Sequence, residues 1–123
     1  MIHNLLPLLI QLKAHEFWIG MESNGSFAFD SVRDLVDYIT VSPKNSAVIN
    51  SSDEVRVVNN NLTLNNLLEI EKNCSAKNYF ISPLEQNSLF NYYDTIKLLG
   101  EINTVSANNW HLSLQMHKII GIE

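Results

Sequence analysis

The sequence has almost no cysteine: Cys74 is the only one in 123 residues. One cysteine cannot form an intramolecular disulfide, so we expect a reducing, cytoplasmic location. Zinc sites usually need closely spaced cysteines or histidines. His111 and His117 would stand about 20 Å apart on a strand, too far to bind one ion. We therefore expect no metal and no cofactor.

Glycine and basic residues are also scarce. The four glycines lie too far apart to form a phosphate-binding loop, which argues against a nucleotide site. Eight basic residues face thirteen acidic ones, and the formal net charge is -5. A chain of this charge is poorly suited to a phosphate backbone, so we expect no nucleic-acid partner.

No hydrophobic run is long enough to span a bilayer. The longest candidate, residues 5–12, falls well short of the roughly 20 residues that a membrane helix needs. No Lys or Arg precedes it and no A-x-A cleavage site follows, so a secretory signal is not indicated. We expect a first helix with Pro7 in its first turn, where the missing N–H is harmless, and no membrane association.

Residues 15–39 show the clearest pattern in the chain. Residues 17–19 and 27–29 are apolar and flank Asn24-Gly25, a pair typical of a two-residue hairpin turn. Apolar side chains then recur at helical spacing, which predicts an amphipathic helix over residues 30–39. The apolar positions of this helix are Val32, Leu35, Val36 and Ile39.

The rest of the chain alternates short apolar runs with helical patterns. A second hairpin is predicted from residues 47–49 and 55–58, and Thr63 is a candidate cap for a helix ending near Cys74. The further predictions are a strand at 79–81, a helix from Ser88 and a strand over 110–117. Together they indicate a single α+β domain over residues 1–123, with an antiparallel or mixed sheet of about five to six short strands and three to four packed helices.

An acidic stripe on the predicted helix is the one surface feature that suggests a function. Glu22, Asp30, Asp34 and Asp37 are the candidate partner-binding residues. Carboxylates held on a rigid element attract a cationic surface at long range. We therefore interpret the chain as a small acidic binding protein that neutralises a basic protein, most simply a bacterial immunity protein that inhibits a nuclease-like toxin.

Catalytic residues are not apparent, so we expect no enzyme activity. Cys74 lies at the end of a predicted helix, where the dipole disfavours a thiolate. Two alternatives stay open. One is a small enzyme whose site is assembled in three dimensions from His111, His117 or Cys74. The other is a homo-oligomeric accessory protein that pairs through an exposed strand edge.

Overall fold

The fold is built on a parallel β-sheet. The computed structural model describes residues 2–25, 31–43 and 50–114. Its elements, in chain order, are α1 (Ile2–Ala14), β1 (Gly20–Ser23), a 3₁₀ turn (Arg33–Leu35), β2 (Tyr38–Val41), β3 (Asn50–Asn59), α2 (Leu64–Asn73), β4 (Cys74–Pro83), β5 (Glu85–Gln86), β6 (Leu89–Phe90), α3 (Tyr92–Val105) and β7 (Trp110–Leu112). Five strands form one sheet in the order β1-β2-β3-β4-β7, and each neighbouring pair is parallel.

The helices α2 and α3 connect consecutive strands of this sheet. Parallel strands need a crossover rather than a tight turn, and a helix is the usual connection. α2 links β3 to β4, and α3 links β4 to β7. The predicted cap of α2 is confirmed: Thr63 accepts a hydrogen bond from the Asn66 amide, and the Asn66 side chain accepts one from the Thr63 amide. This reciprocal pair satisfies two amides that the first helical turn leaves free.

One face of the sheet forms the hydrophobic core. Successive side chains of a strand point to opposite faces, so alternate residues share an environment. Seven side chains of this face are buried: Ile39, Val41, Val55, Val57, Tyr79, Ile81 and Trp110. Leu67 of α2 and Leu98 and Ile102 of α3 complete the same core cluster.

The structure corrects the predicted fold class. The main sheet is parallel and the architecture is α/β, whereas the sequence analysis predicted an antiparallel or mixed sheet in an α+β domain. The only antiparallel pair among the described residues is β5 with β6. The predicted turn at residues 50–53 is instead the first part of β3, which pairs with β2 and β4 in parallel.

The predicted helix over residues 30–39 is also wrong. This segment contains only the short 3₁₀ turn, after which the chain enters β2. The apolar positions were correctly assigned to the interior, since Val32, Val36 and Ile39 are buried. Residues 27–29 and 47–49, which were predicted as hairpin strands, lie outside the described residues.

Several other boundaries differ from the prediction. The strand predicted at residues 79–81 lies inside the longer β4, and the helix predicted from Ser88 begins at Tyr92, after β6. The final strand begins at Trp110 as predicted but ends at Leu112; Ser113 and Leu114 lie outside it, and residues 115–117 are outside the described part. α1 begins at Ile2, so Pro7 is its sixth residue and lies beyond the first turn, in which it was predicted. None of the helices in the described segments has both the length and the apolar character that crossing a membrane would require.

Candidate functional site

The second face of the sheet is mainly polar and partly exposed. We call it the open face, and its side chains are Tyr38, Thr40, Glu54, Arg56, Val58, Asn78, Phe80, Ser82 and His111. Arg56, Val58, Asn78 and His111 are exposed to solvent. Parallel sheets are normally covered on both faces, so the exposed part of this face is a candidate contact surface.

Glu54 organises the centre of the open face. Its Oε1 accepts a hydrogen bond of 2.7 Å from the Tyr38 hydroxyl, and its Oε2 accepts one from Nε of Arg56. The Glu54 side chain is only 9% exposed, so both oxygens need these donors. The hydrogen bond to the carboxylate, reinforced by burial, raises the pKa of Tyr38. Tyr38 therefore stays a neutral hydrogen-bond donor at physiological pH.

Arg56 is held from three sides. In addition to Glu54, its Nη1 donates to Oγ of Ser113 at 2.9 Å, and its Cζ lies 4.6 Å above the centre of the Phe80 ring. Phe80 also contacts the His111 ring, with 5.4 Å between ring centres. A guanidinium stacked on an aromatic ring and bonded to a carboxylate has a fixed orientation. The open face thus presents a row of planar groups across β3, β4 and β7.

A cavity of about 750 Å³ opens beside this row, at the carboxyl ends of the strands. Seven of the lining residues follow the ends of β2, β3, β4 and β7: Ser42, Pro43, Asn60, Leu62, Leu84, Ser113 and Leu114. The others lie in the second half of β3 or β4, apart from Ile70 of α2: Arg56, Val57, Val58, Phe80 and Ser82. Small-molecule sites have this size, and in open parallel sheets they lie beyond the carboxyl ends of the strands. The cavity therefore has both the place and the dimensions of a ligand site.

An asparagine network fixes the strand ends that frame the cavity. Nδ2 of Asn91 donates to the Asn59 carbonyl at 2.8 Å, while its Oδ1 accepts the Leu84 amide at 2.6 Å. Nδ2 of Asn59 donates to the Thr95 hydroxyl at 3.0 Å, and its Oδ1 accepts the Leu62 amide at 3.1 Å. The ends of β3 and β4 are therefore joined to the start of α3 by side-chain hydrogen bonds.

The acidic residues that the sequence analysis selected do not form one stripe. Glu22 is exposed on β1, and Asp34 is exposed in the 3₁₀ turn. Asp37 accepts hydrogen bonds from Nζ of Lys13 at 2.8 Å and from the Ile19 amide at 2.7 Å. The Lys13 bond, followed by the amide bond, lowers the pKa of Asp37. Asp30 lies outside the described residues, and these placements do not test whether any of the four contacts another protein.

The residues of the alternative catalytic site are not brought together. Cys74 is buried where α2 ends and β4 begins. His111 pairs with Phe80, six residues further along β4, which places it about 20 Å from Cys74. His117 is outside the described residues. Across residues 2–25, 31–43 and 50–114, no three His, Cys, Asp or Glu side chains are grouped closely enough to hold a metal ion.

The Cys74 thiol is expected to be unreactive in the folded chain. It is fully buried, and burial raises its pKa, so both access and thiolate formation are suppressed. We expect its reaction with a disulfide reagent such as DTNB at pH 7.5 to be more than about tenfold slower than that of free cysteine. Denaturant should restore the rate of an unhindered thiol. Rapid labelling of the native chain would show that the thiol is accessible.

Sequence reasoning missed the central residues of the site, although one signal was present. Arg56 interrupts the apolar run of residues 55–58. A charged residue inside a strand marks the face that does not enter the core. Glu54 and Phe80 carry no comparable signal, because their position on the open face depends on the register of β3 with β4.

Two enzymes are similar to this chain over nearly its whole length. The 7-carboxy-7-deazaguanine synthase of Haemophilus influenzae is 38% identical over 124 aligned positions, which cover 94% of this chain and 57% of the synthase. The 7-carboxy-7-deazaguanine synthase of Neisseria meningitidis serogroup B is 34% identical over 125 positions, with 94% and 58% coverage. The chain therefore spans little more than half the length of these relatives.

The other two comparisons found nothing: no protein-family model and no solved structure matches the chain. The two relatives nevertheless overturn the functional interpretation of the sequence. Both are named as synthases, and neither is named as an inhibitor of a toxin. The predictions of a toxin-immunity protein, of a basic protein partner and of a chain without enzymatic character are therefore wrong.

Proposed function

We propose that this chain provides part of the ligand-binding wall of a synthase that forms 7-carboxy-7-deazaguanine. Its similarity to two synthases of that name over 94% of its length is the observation that carries the proposal. The cavity beside the open face is the ligand site. It meets the requirement that a substrate be held at a defined position against a rigid scaffold.

The chemistry of the cavity fits such a ligand. A carboxylated deazaguanine is a planar bicyclic base with a polar edge and one carboxylate. The cavity combines hydroxyl and amide groups from Ser42, Asn60, Ser82 and Ser113 with apolar walls. Hydrophobic lining with a few convergent polar groups is the usual composition of a small-molecule site.

The experiment replaces the matching segment of the Haemophilus influenzae synthase with this chain. The chimera is expressed in a bacterium that lacks its own synthase gene, and 7-carboxy-7-deazaguanine is measured by mass spectrometry. We expect product to form, because the chain should supply the same wall as the segment it replaces. A chimera that folds and forms no product would contradict the proposal.

Two tryptophan variants test whether the cavity is the ligand site. Val58→Trp introduces a large ring at a cavity position that is 44% exposed, so it should fill the cavity without disturbing the core. We expect product formation by the chimera to fall at least about tenfold. Leu68→Trp is the matched control, since Leu68 is 39% exposed on α2 and does not line the cavity. Equal activity of the two variants would place the ligand elsewhere.

A further inference from the structure

We propose that Arg56 is the carboxylate-binding residue of the cavity and makes this site selective for a carboxylated base over the same base without the carboxylate. This inference rests on the proposed function and assigns a role within it. Of the described residues that line the cavity, Arg56 alone carries a charge. Arg56 is therefore the cationic group that the described part of the cavity offers to a ligand carboxylate.

The guanidinium of Arg56 has N–H donors that its described hydrogen bonds do not use. Arginine carries five N–H groups, and the described hydrogen bonds of Arg56 use Nε toward Glu54 and one N–H of Nη1 toward Ser113. Three N–H groups remain, on the two terminal nitrogens. Two terminal nitrogens side by side match the two oxygens of a carboxylate, which is the bidentate geometry that arginine favours.

Glu54 fixes the orientation of the Arg56 guanidinium and does not occupy the terminal nitrogens that a ligand carboxylate would bind. Both Glu54 oxygens are already engaged, one by Tyr38 and one by Arg56. The contact to Glu54 uses Nε, and the bond to Ser113 uses one N–H of Nη1, so Nη2 and the second N–H of Nη1 can face a ligand. Phe80 supports the guanidinium plane from below at 4.6 Å. The side chain is 46% exposed, so a ligand can reach it.

The test compares two ligands that differ only in the carboxylate. Binding of 7-carboxy-7-deazaguanine and of 7-deazaguanine to the full chain is measured by isothermal titration calorimetry. We expect the carboxylated base to bind roughly 10- to 100-fold more tightly, the range that a charge-assisted pair contributes. Benzoate should compete weakly, because it supplies the carboxylate without the polar edge of the base. Competition by benzoate at the affinity of the carboxylated base would reduce the site to a general anion site and overturn the proposed selectivity for a base.

Variants of Arg56 decide whether this side chain is responsible. In Arg56→Gln the ratio of the two affinities should fall to within about twofold. Arg56→Lys keeps a cation beside Glu54 and guards against misfolding of the first variant. It should show an intermediate preference, because an ammonium group is a point charge without the planar fork. Lys72→Gln, which removes an exposed cation of α2 outside the cavity, should behave like the unmodified chain.

The failures of the two proposals are distinguishable. If the unmodified chain binds both bases equally, binds neither, or keeps its preference in Arg56→Gln, the assignment of Arg56 is overturned. In each of these cases the chimeric synthase still reports independently on the proposed function. If the chimera forms no product, the proposed function fails whatever the binding data show.

Discussion

Replacing Asp53 with alanine is expected to lower the free energy of unfolding by about 2 to 4 kcal/mol. The Asp53 side chain is 6% exposed. It accepts the Ile39 amide at 2.8 Å and Nη2 of Arg33 at 3.1 Å, and Nζ of Lys77 lies 3.4 Å away. The variant leaves a buried amide and a partly buried guanidinium without their acceptor, and this loss exceeds that of an exposed ion pair. Chemical denaturation at pH 7 measures the change.

Acid should remove the same stabilisation. Burial alone would raise the pKa of Asp53, but the Ile39 amide and the charges of Arg33 and Lys77 outweigh it, and the pKa is lowered. A carboxyl with a depressed pKa stabilises the fold above its unfolded-state pKa of about 3.9 and loses this contribution as the pH falls through its folded-state pKa. The difference between the unmodified chain and Asp53→Ala should therefore be full above about pH 5 and should shrink below pH 4.

Asp34→Ala is the control for this prediction. Asp34 is an exposed aspartate of the adjoining 3₁₀ turn, and its loss should change stability by no more than about 0.5 kcal/mol. If Asp53→Ala lowered the free energy of unfolding no more than Asp34→Ala does, the buried hydrogen bonds between the 3₁₀ turn, β2 and β3 would not stabilise the fold as described.

Asn59→Ala should lower the free energy of unfolding by about 2 to 4 kcal/mol and weaken the attachment of the end of β3 to α3. The Asn59 side chain donates to Thr95 and accepts from Leu62, and the residue is only 3% exposed. Its removal leaves the Leu62 amide without an acceptor at the strand end that lines the cavity. Leaving a buried polar group unsatisfied costs more than the net value of the hydrogen bond. Thermal and urea unfolding measure the loss.

The neighbouring Asn60→Ala provides a matched comparison. Asn60 is exposed at the same turn, and its backbone amide, which bonds the Val58 carbonyl, is retained in the variant. We expect a change within about 0.5 kcal/mol. Equal losses for the two variants would mean that the asparagine network does not hold the ends of β3 and β4 together.

The sequence predicted individual elements better than their arrangement. The cap at Thr63, the strand around Tyr79 and the strand starting at Trp110 depend on local signals, and all three are present. The alternation of strand, helix, strand, helix and strand from residue 55 onward was itself a signal for a parallel sheet. The hairpin interpretation of two turn-rich segments led to the wrong pairing.

The error at residues 30–39 has a local physical cause. Apolar residues at 32, 36 and 39 fit a helical face, yet they also fit a short turn followed by a strand. Five of the six residues from Val36 to Val41 are β-branched or aromatic, and such residues favour a strand. The candidate site was even harder to predict from the sequence. Arg56, Phe80 and Ser113 meet only through the register of three strands that are distant in sequence.

The most direct test of the open face as a ligand site is an amide NMR titration of the ¹⁵N-labelled chain with 7-carboxy-7-deazaguanine. A 14.0 kDa chain is well suited to this measurement. We expect the largest shift changes at Arg56, Phe80, Ser82 and Ser113, with the outward residues of α3 unaffected. Shifts concentrated on α3 or around Asp34, or no shifts at saturating ligand, would contradict a ligand site on the open face.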